Sequence, residues 1–266
     1  MITRYIIVRS SLIMLGLSLI LGGMLIVMAK VLSSNQTPRI VRFPAHDYQY
    51  KEVKASNGFI LHVVKTDPAN VTLEAVRQNV TLSDYYGING GFFYEQQLLS
   101  MAVVNGNPVA GENDSYGSGV ENTKYPRGTL VWDGAANQLS VQIVSNASEL
   151  QVTDRSKFWA QGGISMLLGR DEEWFAEAAK QHAPYMDDNR LRSAVVYDFA
   201  GEVYLIVSST KGTLADFRAA ILERVGEGRL SDGIFLDGDG SSQLQIAEAL
   251  LPGDSRPVVQ MIRIVR

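Results

Sequence analysis

The sequence predicts an α+β fold: a single, mixed but mainly antiparallel β-rich domain with a few helices, behind an N-terminal transmembrane helix. Three observations support this class. Short runs rich in β-branched and aromatic residues recur between turn residues, two later segments have the caps and spacing of helices, and one stretch near the N-terminus is uncharged over twenty residues. Strands that outnumber the helices and do not alternate with them indicate α+β rather than a parallel α/β sheet.

The predicted membrane segment begins the chain. Arg4 and Arg9 precede an uncharged run from Ser10 to Ala29, and Lys30 closes it. At about 1.5 Å per residue, a helix of this length crosses about 30 Å of hydrocarbon, so we expect an uncleaved signal anchor. A cleavable secretory signal is the alternative, although the apolar core of such a signal is usually only about 7–15 residues long.

The anchor divides the chain into residues 1–30, a polar linker over 31–49 and a folded body over 50–266. Because no later segment is as hydrophobic, we expect the body outside the cytoplasm, on a single-pass protein of the cell membrane, or secreted if the anchor is cleaved. The net charge is −4, and the first thirty residues contribute three cations and no acid, so the rest of the chain is more acidic still. This balance argues against nucleic acid as a partner.

The composition is that of an ordinary globular protein. Of 266 residues, 46% are hydrophobic and 20% are charged, which is enough apolar surface for one large buried core. The chain has no cysteine. A disulfide framework, a thiolate nucleophile and a zinc-thiolate site are therefore excluded.

Strand-like runs begin soon after the linker. Turn residues in "DGAANQ" after Trp132 and the pair Ala200 and Gly201 predict two hairpins between them. Six runs have the composition of strands and a seventh, alternating run closes the chain: residues 59–65, 71–77, 128–133, 139–144, 193–199, 202–208 and 257–265.

Two segments predict helices. Residues 169–184 carry acids at the start and Lys180 near the end, as the helix dipole favours. Residues 212–228 open with Thr213 three positions before Asp216, which is similar to a capping box, and they end in a glycine-rich turn. This second helix leads directly into an apolar run and the most unusual stretch of the chain.

Three segments combine glycine with polar residues. In the first, Asn89 is followed by Gly90 and Gly91, whose small size lets the backbone approach a ligand while the amide donates or accepts a hydrogen bond. The alternative is a hairpin turn, for which Asn-Gly is the strongest short signal. In the second, Gln161 precedes another glycine pair, and a loop before a strand is the alternative.

The third segment is "GIFLDGDGSS", in which an apolar run ends at Asp237. The end of a strand is where functional carboxylates are often found in sheet proteins. Gly238 and Gly240 leave the backbone free to turn, so that its N–H groups, with the hydroxyls of Ser241 and Ser242, are able to hold an anion. The sequence therefore predicts an anion-binding turn at the end of this strand.

Calcium is a second candidate ligand of the same turn. The spacing of Asp237, Asp239, Ser241, Gln243 and Glu248 matches positions 1, 3, 5, 7 and 12 of an EF-hand loop. Against calcium, position 6 is serine instead of glycine, and the preceding segment is a strand rather than a helix. Asp237 and Asp239 are kept as candidate ligands of a structural or functional ion.

The standard catalytic motifs do not occur. The three histidines form no HExxH pair, and the chain has neither a GxSxG elbow nor a GxxxxGK phosphate loop. "GDGSSQ" also lacks the third glycine of a dinucleotide fingerprint. A Ser-His-Asp hydrolase, a P-loop enzyme and a dinucleotide enzyme thus have little support.

Taken in order, these segments resemble the phosphodiester glycosidase family. The resemblance covers about residues 50–266, and it implies an exported hydrolase that cleaves the bond between a sugar and a phosphodiester in envelope or extracellular glycans. It depends on "NGGFF" at 89–93, "VVNGNPV" at 103–109, "QGGISMLLG" at 161–169, "RSAVVYDFAGEVYLIVS" at 192–208 and "IFLDGDGSSQL" at 234–244.

The resemblance also implies roles for residues. Asp237 is then the carboxylate at the anomeric carbon or the base for water, and Arg192 is a phosphate clamp, because its planar fork takes two phosphate oxygens. Lys211 is a second phosphate candidate, with a solvated turn lysine as the alternative. The implied phosphate-binding set is Asn89, Gly90, Gly91, Gln161, Arg192, Lys211, Gly238, Gly240, Ser241 and Ser242.

One position departs from the family pattern. Asp239 stands where the family usually has glycine, and this adds a charge close to Asp237. Asp239 is then a second carboxyl for the reaction, a ligand of a cation, or a sign of altered or lost activity.

Two other functions stay open at this point. A non-catalytic envelope module would bind a glycan or calcium through the same glycine turns without turnover. A purely structural, membrane-anchored domain is disfavoured, because three polar glycine turns are costly in backbone entropy and build no core.

Overall fold

The described part of the chain is built from antiparallel sheets and two α-helices. The computed structural model describes residues 47–113 and 115–265. The predicted anchor over 1–30 and most of the linker lie outside these residues, so the membrane segment stays a prediction. Within the described residues, no helix is both long and apolar enough to span a bilayer.

Strands make up most of the secondary structure, and every ladder between them is antiparallel. In chain order the strands of the described residues are β1 (Gln49–Lys54), β2 (Ile60–Thr66), β3 (Val71–Gln78), β4 (Tyr86–Asn89), β5 (Phe93–Tyr94), β6 (Gln97–Leu98), β7 (Ala102–Val104), β8 (Asn107–Pro108), β9 (Arg127–Asp133), β10 (Gln138–Val144), β11 (Phe158–Gly162), β12 (Ile164–Ser165), β13 (Ser193–Asp198), β14 (Val203–Ser208), β15 (Leu230–Phe235), β16 (Leu244–Gln245), β17 (Leu250–Leu251) and β18 (Val258–Ile264).

Two α-helices and several short 3₁₀ turns connect the strands. Helix α1 comprises Trp174–Lys180, and helix α2 comprises Leu214–Arg224. The hydroxyl of Thr213 accepts the Asp216 N–H at the start of α2, as the capping pattern predicts. The 3₁₀ turns are Pro68–Asn70, Val80–Leu82, Ala147–Glu149, Gly226–Gly228 and Asp239–Ser241.

Three sheets of five or six strands and one hairpin contain all of these strands. The first sheet has the order β1-β2-β14-β13-β15-β12. The second has the order β10-β9-β11-β7-β8, the third β17-β16-β4-β18-β3, and β5 pairs with β6. Neighbours such as β4 and β18 are far apart in sequence, so the fold depends on long-range pairing.

The first sheet is covered on both faces, which explains its nearly continuous apolar strands. On one face Ile206 and Phe235 pack in a core with Phe217 of α2. On the other face Leu205 shares a core with Ile88 of the third sheet. Successive residues of a strand point to opposite faces, so β14 supplies both cores.

This arrangement brings the ends of β4 and β15 together. Asn89 is the last residue of β4, and Asp237 follows β15 by two residues. The Leu236 N–H donates to the Ser193 carbonyl at 2.9 Å, and the Asp237 N–H donates to the Gly90 carbonyl at 3.3 Å. The first and third sheets therefore meet at the predicted anion-binding turn.

The predicted α+β class is confirmed: the described residues form a β-rich, antiparallel domain with two helices. The seven strand runs agree with the observed strands to within one residue at each end. Both predicted hairpins occur, as β9 with β10 and β13 with β14. The short strands β4 to β8, β11, β12, β16 and β17 were not predicted, because two to five residues give too little periodicity. The six-residue strand β1 was not predicted either, because three of its residues are charged and it has no apolar run.

Two local predictions need correction. A helix forms within the predicted segment 169–184, but it is shorter, Trp174–Lys180, and Asp171 before it pairs with Arg218 at 2.7 Å. Asn89 does not open a hairpin turn, because the ladder partners of β4 are β16 and β18 rather than the next strand.

Gly87 in β4 gives a test of the close packing of the third sheet. It has φ +150°, and a Cβ there would lie 1.9 Å from the Ile262 carbonyl oxygen. The contact is with backbone, so we expect Gly87→Ala to lower the free energy of unfolding by more than about 2 kcal/mol in denaturant titration. Gly169→Ala is the control, because no heavy atom lies within 4 Å of its Cβ; a change there as large as that of Gly87→Ala would contradict the prediction.

Candidate functional site

A cavity of about 380 Å³ opens beside the turn that follows β15. One part of its wall is apolar, with Phe92, Leu99, Ile164, Leu214 and Leu236 among the lining residues. The other part is charged, and its lining residues are Arg127, Arg190, Arg192, Arg256, Asp237 and Asp239. A cavity that joins an apolar wall to a few convergent charges is typical of small-molecule sites.

Asp237 is fixed by the backbone on both sides. Its carbonyl accepts the Asn89 amide Nδ2–H at 2.9 Å, and its N–H donates to the Gly90 carbonyl. Its Oδ1 accepts the Gly238 N–H at 3.1 Å. These bonds hold the carboxylate at the edge of the sheet, where it lines the cavity.

The surroundings of Asp237 favour its protonated form. Burial raises the pKa of Asp237 to about 6, and the nearby charge of Asp239 acts in the same direction. Hydrogen bonds from the Ser241 side chain and the Gly238 N–H, and the charge of Arg256, lower this pKa and oppose the effect of burial. A carboxyl with this pKa changes charge near neutral pH, which suits acid–base chemistry.

The turn after Asp237 is a single 3₁₀ turn over Asp239–Ser241. Asp239 has φ +54°, a left-handed conformation that glycine, Asn and Asp adopt most easily. A Cβ at Gly240 would lie 2.1 Å from an Asp254 carboxylate oxygen, so a larger residue here would have to displace the Asp254 side chain. The turn therefore places the two carboxylates in different surroundings: Asp237 is held beside Asn89 and Gly90, and Asp239 binds Arg190.

Arg190 is paired with two carboxylates, which accept three of its five N–H groups. Its Nη1 donates to Asp239 Oδ2 at 2.7 Å, and its Nε and Nη2 donate to Asp188 Oδ2 at 3.2 and 3.0 Å. The guanidinium carbon also lies 3.9 Å from the centroid of the Tyr185 ring. Hydrogen bonds to Asp188, with the charges of both carboxylates, raise the pKa of Arg190.

Arg192 is buried and held by backbone carbonyls. Its Nε donates to Gly212 O at 3.2 Å, and its Nη2 donates to Tyr185 O at 2.8 Å and Asp188 O at 2.7 Å. Burial and the charge of Arg190 lower the pKa of Arg192. Its Nη1 makes no hydrogen bond to any described residue, so this nitrogen is the one left for a ligand.

Arg127 and Arg256 complete the charged wall. Arg127 donates through Nε to Gln181 O at 3.1 Å and lies over the Phe92 ring, 5.2 Å from its centroid. Burial lowers the pKa of Arg127, and no carboxylate among the described residues pairs with it. Arg256 forms an ion pair with Asp254, with Nε 2.9 Å from both carboxylate oxygens.

Asn89 lies behind the cavity and not in its wall. It is fully buried, and its Oδ1 accepts hydrogen bonds from the Ser193 hydroxyl at 2.8 Å and the Gln243 N–H at 3.1 Å. With Nδ2 on Asp237 and Gly90, the whole amide is used within the protein. As placed, Asn89 positions Asp237.

The other sequence candidates are placed as follows. Gly238 lines the cavity, whereas Gly90, Gly91 and Gln161 are buried outside its lining, and Lys211 is exposed. Ser241 contacts Asp237, and Gly240 and Ser242 are buried in the turn. Two buried oxygens of this set have no hydrogen-bond partner in the described structure, Gln161 Oε1 and Ser242 Oγ.

The proposed EF-hand spacing does not form a calcium cage. Asp239 binds Arg190, Gln243 Oε1 accepts the Val80 N–H at 2.8 Å, and Glu248 Oε2 accepts the Tyr48 hydroxyl at 2.7 Å. Among the described residues, no group of three or more His, Asp or Glu side chains is arranged to hold a metal ion. The residues present do not fit calcium.

Sequence reasoning missed three of the four arginines. Arg190 stands two residues before Arg192, and this spacing was the only feature of the sequence that connected Arg190 with the site. Arg127 begins β9, more than 30 residues from the glycine segments on either side, and Arg256 follows an ordinary turn 16 residues after Gly240, so nothing local marks them. Their convergence is a property of the tertiary fold.

Comparisons with known proteins show the fold and nothing finer. No family model matches the sequence, and no curated protein does. Among solved structures, the catalytic domain of zebrafish N-acetylglucosamine-1-phosphodiester alpha-N-acetylglucosaminidase (NAGPA), auto-inhibited by its pro-peptide, is similar with a TM-score of 0.58 and 14% identity over 85% of both chains. A hypothetical protein from Synechocystis is similar with a TM-score of 0.42 and 16% identity, over 81% of this chain and 61% of the other.

Because the pKa of Asp237 is raised, replacing its carboxyl by a neutral amide should increase the free energy of unfolding by an amount that depends on pH. The folded state holds the proton up to about pH 6 and the unfolded chain only to about pH 4, so stability falls as pH rises between these values. We expect Asp237→Asn to raise the free energy of unfolding by up to about 3 kcal/mol at pH 7 and by little at pH 4.

Thermal unfolding between pH 4 and pH 8 measures this gain. Asp187→Asn is the control, because Asp187 is an exposed carboxylate that does not line the cavity. A gain that is equal at pH 4 and pH 7 would show that Asp237 is not protonated preferentially in the fold.

Proposed function

We propose that the protein hydrolyses a glycosyl-phosphate diester, releasing a free sugar and a phosphate monoester. The observation that carries this proposal is the cavity itself, which is lined by a carboxyl with a pKa of about 6, Asp237, and by two guanidinium groups, Arg127 and Arg192, that pair with no carboxylate of the described residues. The fold likeness to the catalytic domain of zebrafish NAGPA, whose name describes a phosphodiester glycosidase, supports the reaction class.

The chemistry needs one ionised carboxylate. Water attacks the anomeric carbon, Asp237 accepts its proton, and the bond between that carbon and the phosphate oxygen breaks. The electron pair stays on the phosphate, which leaves as a monoester and needs no proton because phosphate oxygens are weakly basic. In this respect the reaction differs from ordinary glycoside hydrolysis, in which a second carboxyl protonates an alcohol.

Arginines Arg127 and Arg192 hold the phosphate in this mechanism. Guanidinium groups bind phosphate oxygens through charge-assisted hydrogen bonds, and they stabilise the negative charge that grows on the leaving group. Arg190 and Arg256 already have carboxylate partners, so they contribute less to a ligand. Phe92 and the other apolar lining residues exclude water from one side of the cavity.

The location of the protein is part of the same proposal. The uncharged run from Ser10 to Ala29 supports a membrane anchor with the body outside the cytoplasm, where envelope or extracellular glycans are available as substrates. Fractionation of cells, followed by protease treatment of intact cells or spheroplasts, tests both the anchor and the side of the membrane.

Asp237→Asn is the first test of the reaction. With aryl sugar-1-phosphodiesters and the full chain in a non-ionic detergent, we expect the variant to lose about 10²–10⁴-fold in kcat/KM. Because the ionised form acts, kcat/KM of the natural chain should rise with pH below about 6 and level off above it. Activity that survives Asp237→Asn in a folded protein excludes this role.

Ser241→Ala is the matched variant for the pH profile. The Ser241 side chain stabilises the ionised form of Asp237, so its loss should move the rise in activity to higher pH without abolishing turnover. An unchanged midpoint would assign the rise to another group.

Arg127→Gln tests the phosphate site. Loss of one charge-assisted hydrogen bond to phosphate should lower kcat/KM by about 10–100-fold, while the free energy of unfolding changes little. Arg224→Gln, which removes an exposed arginine at the end of α2 outside this cavity, is the control. Equal effects of the two substitutions on kcat/KM would count against a phosphate at Arg127.

A further inference from the structure

The ion pair between Asp239 and Arg190 reduces the positive charge that the cavity wall presents to a ligand. All three donor nitrogens of Arg190 are bound by carboxylate oxygens, one by Asp239 and two by Asp188. The Tyr185 ring lies against the same guanidinium, 3.9 Å from it. Each nitrogen of Arg190 is therefore already engaged by a carboxylate, and only two of its five N–H groups are left for an anionic ligand.

The remaining charges of the cavity nearly cancel. Arg256 is neutralised by Asp254, and Arg190 is more than neutralised by its two carboxylates. Arg127 and Arg192 have no carboxylate partner among the described residues, and Asp237 lies in the same wall. Such a wall attracts an anion of one charge and gains little from a second charge, which Asp239 repels.

We propose that Asp239 determines the charge of the ligand, restricting the cavity to anions with a single negative charge, such as a phosphodiester, and disfavouring dianionic phosphate monoesters. The inference rests on the proposed function for its choice of phosphate, and it adds the discrimination between diester and monoester. Specificity of this kind comes from a repulsive group placed against the wrong ligand.

This role fits the direction of the proposed reaction. Cleavage between the sugar carbon and the phosphate oxygen converts a diester with one charge into a monoester, which takes a second charge above a pKa of about 6. Asp239 then repels the product more strongly than the substrate. The same residue both selects the diester and promotes release of the monoester.

Two probes of matched shape test the proposal by binding alone. Methyl phenyl phosphate is a diester with one charge, and phenyl phosphate is a monoester with two charges at pH 8. Isothermal titration calorimetry at pH 8 with the full chain in detergent should show that the natural chain binds the diester at least as tightly as the monoester.

Asp239→Asn should change this preference. Asn tolerates the left-handed conformation at this position and still accepts a hydrogen bond from Arg190, so the backbone is retained. We expect the affinity for phenyl phosphate to rise about tenfold and that for methyl phenyl phosphate to change less than threefold. Asp187→Asn is the control, because it removes an exposed carboxylate of the neighbouring loop that forms no ion pair with Arg190 and does not line the cavity; it should change both affinities less than threefold.

Three results would overturn the proposal: equal tightening of both probes by Asp239→Asn, no change in either, or no binding of either probe to the two proteins. Turnover is not needed for the measurement. A chain that shows the expected preference but hydrolyses no sugar phosphodiester contradicts the proposed function and leaves the assignment of Asp239 intact.

Discussion

The hydrogen bonds of the Asn89 amide hold the candidate site together. This buried side chain ends β4 of the third sheet, and it bonds to Ser193 at the start of β13, to the Asp237 carbonyl beyond β15 and to the Gln243 N–H. A buried amide stabilises a fold only when its donors and acceptor are all used, and here they are. One side chain therefore fixes the first sheet, the third sheet and the turn relative to one another, and every other property of the site depends on that geometry.

The position of Asp237 sets its chemistry. At the edge where the two sheets meet, protein atoms replace water around the carboxylate and raise its pKa, while the hydrogen bonds from Gly238 and Ser241 limit the rise. Four arginines then reach the same cavity from different parts of the fold: the start of β9, the loop before β13 and the loop before β18. Removing a charge from water is costly unless it is paired, so Arg127 and Arg192, which pair with no carboxylate in the described part of the chain, are where we propose that a ligand anion binds.

The fold class was predictable from sequence because long β-rich runs and the cap at Thr213 are local signals. The importance of Asp237 was also predictable, since an apolar run that ends in a carboxylate and two glycines is visible in the sequence itself. Arg127, Arg190 and Arg256 were not, because their meeting depends on long-range strand pairing such as that of β4 with β18. The role suggested for Asn89 illustrates the same limit: its chemistry marked it as important, but whether its amide meets a ligand or the backbone depends on tertiary contacts.

Asp237 and Asp239 show how strongly the environment outweighs residue type. They are two residues apart, yet the first is enclosed at a strand end and the second, with its left-handed backbone, meets Arg190. Asp239 Oδ2 already accepts a hydrogen bond from Arg190 at 2.7 Å, so this oxygen is engaged and is not the one that takes a proton from water. Two carboxyls in one motif therefore do not imply the acid and base of ordinary glycosidases. In the proposed reaction, with its phosphate leaving group, only Asp237 is needed as a base, and in our proposal Asp239 selects the charge of the anion that enters.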